Sequence, residues 1–380
     1  MHGVYVHVPF CRRRCPYCDF AFEVRPADPR YAPAVIDELR ARAHELPSLA
    51  ATLSFGGGTP SALPVADLAR IVEATRQIIG LHEDAEVSIE LNPEDVDENL
   101  ARALRTAGFT RASLGIQSFD DDVLSWLGRA HDGSRARSAV SACLEAGLRT
   151  GVDLIVGVPD EHQQRLERDI EETTALGAGH VSTYLLTVEP GTPLVQLIAK
   201  RARTAIDDDK QADAYEQVQR LLSQRGFAQY EVSSYARPGE ESRHNRLYWQ
   251  GGGYLGVGPS AHSMSPLEDG SVLRRHTTAR LDAWLPDPAR AAHEDETLAP
   301  AHAFCEAVAF GLRDLAAGVD VDALALRHRV PHLAARMRAV LQGEGELVLE
   351  RSRRCHLSAR GARFADRVAR AVLAVDELRG

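Results

Sequence analysis

The sequence predicts an α/β fold: a partial (β/α)6 TIM-like barrel followed by a C-terminal helical domain of winged-helix type. Short apolar runs alternate with amphipathic stretches as far as about residue 187, which indicates parallel strands joined by crossover helices. Polar or glycine-rich residues follow one predicted strand after another. A doubly wound open sheet would gather such residues at one switch point, whereas a barrel brings every carboxyl end to one face. The residues after successive strands therefore favour the barrel.

The elements of the barrel are predicted from hydrophobic periodicity. The predicted strands are Val4–Val8, Thr52–Phe55, Val87–Leu91, Ala112–Ile116, Gly151–Val156 and His180–Leu186. The predicted helices between them are Tyr31–His44, Pro64–Ile79, Glu98–Thr106, Ser134–Ala146 and Gln163–Leu176. Because each strand is followed by a helix or a polar loop before the next strand, the run reads as six βα units.

Beyond Pro190 the alternation stops, which indicates a change of architecture. The predicted elements there are a long charged helix at Ala199–Arg225, a strand at Gln229–Ser233, an apolar helix between Pro300 and Gly318, and a hairpin within Glu346–Ser358. Pro286, Pro288 and the acidic residues 294–296 mark a linker. We therefore predict a barrel over residues 1–230, a barrel-capping segment over 231–290 and a C-terminal helical domain over 291–380.

Composition and charge exclude two classes of partner. The net charge of −10 leaves no broad basic surface to neutralise phosphates, so a nucleic-acid partner is not expected. No apolar run is long enough to span a bilayer, and nothing resembles a signal peptide. Three of the six cysteines are clustered and three are isolated, which is no disulfide framework. We therefore expect a cytoplasmic protein in a reducing compartment.

The cluster of three cysteines is the most specific motif. Cys11, Cys15 and Cys18 have the spacing C-x3-C-x2-C, which supplies too few thiolates for a tetrahedral zinc site or for every iron of a cubane. A [4Fe-4S] cluster held by three cysteines keeps one iron open, and S-adenosylmethionine (SAM) can bind there. Alternatives are core cysteines, or zinc completed by His7 or a distant ligand. The chain has no second cysteine pair of the kind that structural zinc sites use, which favours the cluster.

A glycine turn and several polar residues accompany the cysteine motif. The sequence GGGTP at 56–60 is either a tight turn or a place where the backbone approaches a ligand, and it lacks the lysine of a phosphate-binding loop. Taken singly, Glu90, Gln117, Arg129 and Asp153 are more often surface or capping residues. Together, at or near the ends of successive strands, they suit the ribose hydroxyls and the carboxylate of SAM.

The segment RHNRLYW at 243–249 concentrates a histidine, an amide and two aromatic residues. It could be a polar loop whose aromatics pack on the barrel. It could also be a site for a flat macrocycle, with His244 as an axial iron ligand. The residues alone favour the polar loop.

The chain closely resembles the radical SAM family that contains oxygen-independent coproporphyrinogen III dehydrogenase and the HemW branch of heme chaperones. The motifs that carry the resemblance are VYVHVPFCRRRCPYCDF, SFGGGTPSAL, SIELNPE, ASLGIQSF with LGRAH, VDLIVGVP, YLLTVEPGTPL, YEVSSYA, HNRLYW and GVGPSAHS. The resemblance implies that Cys11, Cys15 and Cys18 ligate a [4Fe-4S] cluster. The residues that match the family's SAM contacts are Tyr5, Tyr17, Gly57, Gly58, Thr59, Glu90, Gln117, Arg129 and Asp153.

Two features separate the branches of this family. The dehydrogenase carries a further cysteine where this chain has Phe20, and it has a long N-terminal extension where only ten residues precede Cys11 here. Both features favour the heme chaperones, in which the histidine of HNxxYW is implicated in heme binding. The resemblance thus implies that His244 binds heme, that heme is delivered to acceptor hemoproteins, and that an electron donor serves the cluster. The alternative is the SAM-dependent oxidative decarboxylation of coproporphyrinogen III.

Overall fold

The first half of the chain folds as the sequence predicts. The computed structural model describes residues 2–159 and 163–377. Its strands in this half are β1 (His2–Val8), β2 (Phe10–Cys11), β3 (Glu23–Val24), β4 (Ala50–Gly57), β5 (Leu81–Leu91), β6 (Arg111–Gln117), β7 (Arg149–Val156) and β8 (His180–Leu185). Its helices are α1 (Tyr31–Arg42), α2 (Val65–Ile78), α3 (Glu98–Thr106), α4 (Asp121–Leu127), α5 (Gly133–Glu145) and α6 (Gln163–Ala175). All six strands predicted for the barrel are present.

The order of the parallel strands distinguishes a barrel from a doubly wound sheet. Strands β1, β4, β5, β6, β7 and β8 are adjacent in the order of the sequence, and each pairs in parallel with the next. A doubly wound sheet would reverse its strand order at a switch point, and this one does not. Neighbouring helices also pack on one another, as α1 does on α2 and α3 on α5. The predicted partial barrel of six βα units is confirmed.

Later segments extend this sheet at both edges. The remaining elements up to residue 298 are α7 (Pro193–Ala199), α8 (Asp208–Gln224), β9 (Ala228–Gln229), β10 (Ser234–Ala236), α9 (Arg243–Trp249), β11 (Gly253–Val257), β12 (His262–Pro266), β13 (Val272–Thr277), α10 (Leu281–Trp284) and β14 (His293–Leu298). Strand β11 adds in parallel beside β1, and β12 to β14 follow it as an antiparallel ribbon. Strands β10 and β9 add in antiparallel fashion beside β8.

The C-terminal residues form helices around a core of their own. The elements are α11 (Pro300–Gly311), α12 (Val321–Arg327), α13 (Ala334–Gly343), β15 (Val348–Arg351), β16 (Arg354–Leu357), α14 (Ala359–Arg363) and α15 (Ala365–Glu377). Phe304, Met337 and Val372 are buried together in this core, which is distinct from the barrel core. The hairpin predicted within Glu346–Ser358 is confirmed. The division at residues 230 and 290 stays a prediction.

Two elements predicted beyond Pro190, a helix and a strand, are wrong in their bounds. The charged helix predicted at Ala199–Arg225 is two helices, α7 and α8. The chain breaks because Arg201 takes a positive φ of 56° and the Asp207 side chain caps α8 by accepting hydrogen bonds from the amides of residues 209 and 210. The strand predicted at Gln229–Ser233 is replaced by β9 and β10, which flank a turn.

The acidic residues 294–296, interpreted above as part of a linker, lie within β14. The edge position of β14 explains this, because charged side chains on an edge strand remain exposed to water. The apolar helix predicted to run to Gly318 ends at Gly311. Among the described residues, no helix combines the length and the apolar character needed to cross a bilayer.

Candidate functional site

The carboxyl ends of the parallel strands and the cysteine loop enclose a cavity of about 940 Å³, which we call the cysteine-side cavity. The predicted site residues that line it are Cys11, Cys15, Tyr17, Cys18, Gly57, Gly58, Thr59, Glu90, Gln117, Arg129 and Asp153. Tyr5 and His244 do not line it. Because a barrel collects the carboxyl ends of its strands, residues more than a hundred positions apart in sequence meet here.

The cysteine loop leaves β2 and lies over the carboxyl ends of the strands. The Sγ atom of Cys11 lies 3.3 Å from Thr59 Oγ1, and the Sγ atom of Cys15 accepts from an Arg129 Nη1 donor at 3.4 Å. Burial raises the pKa of the Cys11 thiol, and the neighbouring Cys18 and Cys15 thiols raise it further, against a hydrogen bond from Thr59 that lowers it. Among the described residues, no three His, Cys, Asp or Glu side chains are arranged to hold a single metal ion. The cluster assignment therefore rests on the cysteine spacing and on family relationships.

The glycine turn after β4 packs directly against the first strand. Gly57 has a φ of 111°, and a Cβ atom there would lie 2.9 Å from the Val8 carbonyl oxygen. A Cβ at Gly58 would lie 2.8 Å from the Phe10 carbonyl oxygen, and the Gly58 amide donates to Val8 at 2.6 Å. The glycines are thus required by the close approach of the protein's own backbone. The same turn exposes Gly57, Gly58 and Thr59 on the cavity wall.

Arg129 is the buried cation of the cavity. Its Nη2 group donates to Asn92 Oδ1 at 2.8 Å and to the Gly115 carbonyl at 3.0 Å, while its Nε has no hydrogen-bond partner among the residues that the structure describes. Glu94 Oε2 lies 4.0 Å from Arg129 Nη2, and His131 Nδ1 lies 3.3 Å from the same Glu94 oxygen. Burial alone would raise the pKa of Glu94, but the His131 hydrogen bond and the Arg129 charge lower it to about 2. Arg129 is therefore held in place while one donor stays free for an anionic ligand.

The network behind Arg129 was missed by the sequence predictions. Asn92 and Glu94 follow β5 in the segment NPE, and His131 ends the segment LGRAH. Both segments were identified as motifs, but the roles of these residues depend on contacts between different βα units. Asn92 and Glu94 could have been identified as site candidates because they directly follow the end of a predicted strand.

Two carboxyl groups, Glu90 and Asp153, lie in the middle of the cavity. Burial deep in the barrel, and then the charge of Asp153, raise the pKa of Glu90 to about 7. Burial also raises the pKa of Asp153, although Ser182 and Ser113 donate to its carboxyl group, the latter at 2.9 Å. Glu90 is also accessible to water from the cavity, so a ligand can reach its carboxyl group. Carboxyl groups with raised pKa values can be protonated or ionised near neutral pH, which suits ligand hydroxyl groups that both donate and accept.

Gln117 ends β6 in a left-handed conformation, with a φ of 68°. A non-glycine residue adopts this region at a cost, which is tolerated where the surrounding structure fixes the backbone. The strand register shifts between Leu114 and Gln117, so the irregularity lies at the carboxyl end of the strand. It places Gln117 on the cavity wall.

The opposite end of the barrel is closed by α9, which carries the HNRLYW motif. We call α9 and the residues that it contacts the barrel floor. The polar loop considered from the sequence is thus a helix, capped by the Ser242 side chain. His244 Nδ1 lies 2.7 Å from Thr52 Oγ1, and His244 Nε2 lies 2.7 Å from the Tyr248 hydroxyl. A Cβ atom at Gly3 would lie 3.4 Å from His244 Nδ1. Because Gly3 and Thr52 lie near the amino ends of β1 and β4, His244 lies at the end opposite the cysteines.

His244 is buried, and burial lowers its pKa to about 3. The ring of Tyr5 stacks on it with centroids 6.3 Å apart, so Tyr5 lies between the floor and the cavity. The structure therefore separates His244 from the predicted site residues that line the cysteine-side cavity, and of the predicted residues it leaves only Tyr5 beside it. Its assignment as a heme ligand stays a prediction.

Comparisons with known proteins agree on one family. A model of the radical SAM superfamily matches residues 5–173. The chain is 42% identical to the heme chaperone HemW of Mycobacterium tuberculosis over 267 residues, 68% of each protein. It is 35% identical to the heme chaperone HemW of Escherichia coli over 285 residues, 73% of each. A solved structure of the Escherichia coli radical SAM enzyme coproporphyrinogen III oxidase (HemN) superposes with a TM-score of 0.80 at 21% identity, covering 98% of this chain and 89% of that one, which shows a shared fold.

Proposed function

Since the chain belongs to the HemW family within the radical SAM superfamily, we propose that it is a heme chaperone that binds heme and delivers it to acceptor hemoproteins. The observation that carries this proposal is the 42% identity to a heme chaperone across 68% of both chains. The proposal places the protein in the cytoplasm, because free thiols in an exposed loop need a reducing compartment.

The residues around the cysteine-side cavity fit the two cofactors of the superfamily. Cys11, Cys15 and Cys18 would hold the [4Fe-4S] cluster, since all three thiols are free and line one cavity. The unpaired Nε of Arg129 supports its role as partner of the SAM carboxylate. The residues proposed to contact SAM are Tyr5, Tyr17, Gly57, Gly58, Thr59, Glu90, Gln117, Arg129 and Asp153. When bound, the cluster would supply an electron to SAM, which calls for a protein electron donor.

Heme coordination by His244, the predicted ligand, would require the barrel floor to change its structure. Its Nε2 atom shares a hydrogen bond with Tyr248, and its Nδ1 atom shares one with Thr52. Coordination of iron by Nε2 would require Tyr248 to move away and the buried floor to open. A test of heme binding must therefore separate loss of a ligand from loss of a structural contact.

The alternative function is the oxidative decarboxylation of coproporphyrinogen III. The superposition with HemN favours it as a second candidate, although at 21% identity that superposition speaks to the fold. Phe20 takes the position of the dehydrogenase's further cysteine, and its side chain is 63% exposed at the cavity mouth. An apolar ring there cannot replace a thiol in redox or proton chemistry.

One anaerobic experiment decides between the two functions. The cluster is reconstituted, and the protein is titrated with heme while the Soret band is followed. In parallel the protein receives SAM, a reductant and coproporphyrinogen III, and protoporphyrinogen is measured. We expect saturable heme uptake and no porphyrin product above that of a Cys11→Ser variant. Product formation with multiple turnovers would contradict the chaperone, as would the absence of heme uptake.

A further inference from the structure

The loop that carries the three cysteines presents positive charge to the solvent. Arg12, Arg13 and Arg14 lie between Cys11 and Cys15, and all three residues are exposed. The chain as a whole has a net charge of −10, so the loop is opposite in charge to the molecule around it. The apolar residues beside these arginines distinguish the loop from one that only faces water.

Two exposed apolar side chains belong to the same loop. Phe20 is 63% exposed and Val24 is 55% exposed, and among the large apolar residues that the structure describes only Leu326 exposes more. Val24 is the register partner of Cys11 in the short ladder of β2 and β3, so it lies beside the first cysteine. Single exposed apolar residues are common, but an aromatic ring grouped with arginines is the composition of a protein interface.

The basic and apolar side chains lie together around the thiols. Arg12, Arg13 and Phe20 line the cysteine-side cavity along with all three cysteines. The guanidinium of Arg14 lies 5.6 Å from the centroid of the Phe22 ring, which lines the same cavity. We call the following residues the cysteine-loop surface: Arg12, Arg13, Arg14, Phe20 and Val24.

The arginines of this surface are not neutralised by the rest of the protein. Arg12 Nη2 lies 2.6 Å from Asp95 Oδ1, yet the Arg12 side chain is 69% exposed, so a partner can still contact it. Arg13 donates to the Gly128 carbonyl, which carries no net charge. Within residues 2–159 and 163–377, no carboxylate forms an ion pair with Arg13 or Arg14.

The acidic residues of the loop leave an excess of positive charge. Glu23 is paired with Arg25 at 3.4 Å, so Asp19 is the other carboxylate that this part of the loop sets against its three exposed arginines. A local positive surface on an acidic protein steers a negatively charged partner to that place, and repels it elsewhere. The charge therefore points to an acidic protein.

Resting on the [4Fe-4S] cluster of the proposed function, we infer that the cysteine-loop surface docks an acidic protein that carries one electron and reduces the cluster. The carrier loses one electron and the cluster gains it, with no bond made or broken. An electron donor must approach the thiols, and this surface lies beside them. Its small extent fits electron-transfer complexes, which are weak and bury less than about 1,200 Å². The arginines attract the carrier, and Phe20 and Val24 supply the contact from which water is excluded.

Reduction of the reconstituted protein by photoreduced flavodoxin, an acidic one-electron carrier, tests the surface. Stopped-flow absorbance of the cluster measures the rate constant at several salt concentrations. In the triple variant Arg12→Gln/Arg13→Gln/Arg14→Gln we expect the rate constant at low salt to fall by about tenfold, and its dependence on salt to flatten, because charges at an interface act mainly on the rate of association.

A second triple variant controls for the net charge. Arg40→Gln/Arg70→Gln/Arg76→Gln removes the same charge from exposed positions on α1 and α2, and it should react as the wild type does. A small photoreduced deazaflavin should reduce the cluster equally fast in both triple variants. Equal rate constants with flavodoxin in the two triple variants would overturn the inference.

Binding without the cluster keeps the test valid if the arginine variant reconstitutes poorly. Oxidised flavodoxin is titrated into Cys11→Ser/Cys15→Ser/Cys18→Ser, alone and combined with Phe20→Ala, by surface plasmon resonance. We expect Phe20→Ala to weaken binding about fivefold or more, and Leu326→Ala, at the most exposed apolar side chain, to leave it unchanged. Unchanged binding in Phe20→Ala would overturn the inference, as would equal binding of ovalbumin, an acidic protein that carries no electron.

The heme-chaperone function and the docking surface can fail separately. A wild type that takes up no heme but loses flavodoxin reduction selectively in the loop variant refutes the chaperone and supports the surface. A wild type that takes up heme but reacts equally with flavodoxin in both triple variants supports the chaperone and refutes the surface.

Discussion

The two ends of the barrel differ in how their polar groups are satisfied. In the cysteine-side cavity the thiols form no disulfide, the Nε of Arg129 has no partner among the described residues, and Glu90 and Asp153 both line the wall with raised pKa values. At the barrel floor, Thr52, His244 and Tyr248 form a continuous chain of hydrogen bonds. A buried polar group without a partner costs about 1–3 kcal/mol. A fold keeps such groups where a ligand completes them, so we propose that one end binds ligands and that the other closes the barrel.

The largest expected effect concerns the three thiols. A variant with Cys11, Cys15 and Cys18 all changed to serine should bind no cluster after reconstitution, because the iron loses every cysteine ligand that the loop offers. Iron content and the visible absorption of the cluster measure this. The fold should survive, since the loop lies at the cavity mouth outside the barrel core. Cys143→Ala, at a buried cysteine in α5, is the control and should keep its cluster.

Next comes the affinity for SAM. Arg129→Lys keeps the charge but loses the planar fork, so SAM should bind about tenfold to a hundredfold more weakly to the reconstituted protein. Isothermal titration measures the dissociation constant. Arg102→Lys, in an exposed pair with Glu98, is the matched control. Equal affinities in Arg129→Lys and the wild type would remove Arg129 from the site.

A substitution in the barrel floor should lower the stability of the fold. His244→Ala leaves a void and two hydroxyl groups without a partner, and should lower the free energy of unfolding by about 2–4 kcal/mol. Urea unfolding of the cofactor-free chain measures this, with His332→Ala, at an exposed histidine, expected within about 0.5 kcal/mol of wild type. Because the pKa of His244 is lowered to about 3, its contribution should be full above pH 6.5 and decline as the pH falls below that value. A His244→Ala variant as stable as wild type would break the contrast between the two ends.

The smallest expected effect is the pH dependence of Glu90. Its pKa is raised from 4.5 to about 7, so the folded state holds a proton that the unfolded state releases between those values. The contribution of Glu90 to the free energy of unfolding of the wild type therefore falls as the pH rises from 4.5 to about 7. Glu90→Gln should melt at the same temperature as wild type below pH 4.5 and slightly higher above pH 7. A difference that is largest at low pH would contradict the assignment.

The fold and most of the cysteine-side cavity could be predicted from the sequence for local reasons. Alternating or continuous apolar runs predicted the six strands. The position of Glu90 and Asp153 within those runs predicted that both lie at or near the carboxyl ends of their strands. The break between α7 and α8 escaped prediction because a single capping residue, Asp207, overrides a charged helical pattern. The network of Asn92, Glu94 and His131 escaped because its contacts join different βα units.

By itself the sequence determined the thiol motif, the parallel order of the strands and the family, since each depends on spacing along the chain. Only the tertiary structure decided where HNRLYW lies. Its residues form a helix that closes the amino end of the barrel, so His244 is paired and buried there. The physical reason is that pairing and burial depend on residues distant in sequence, as when Thr52 contacts His244.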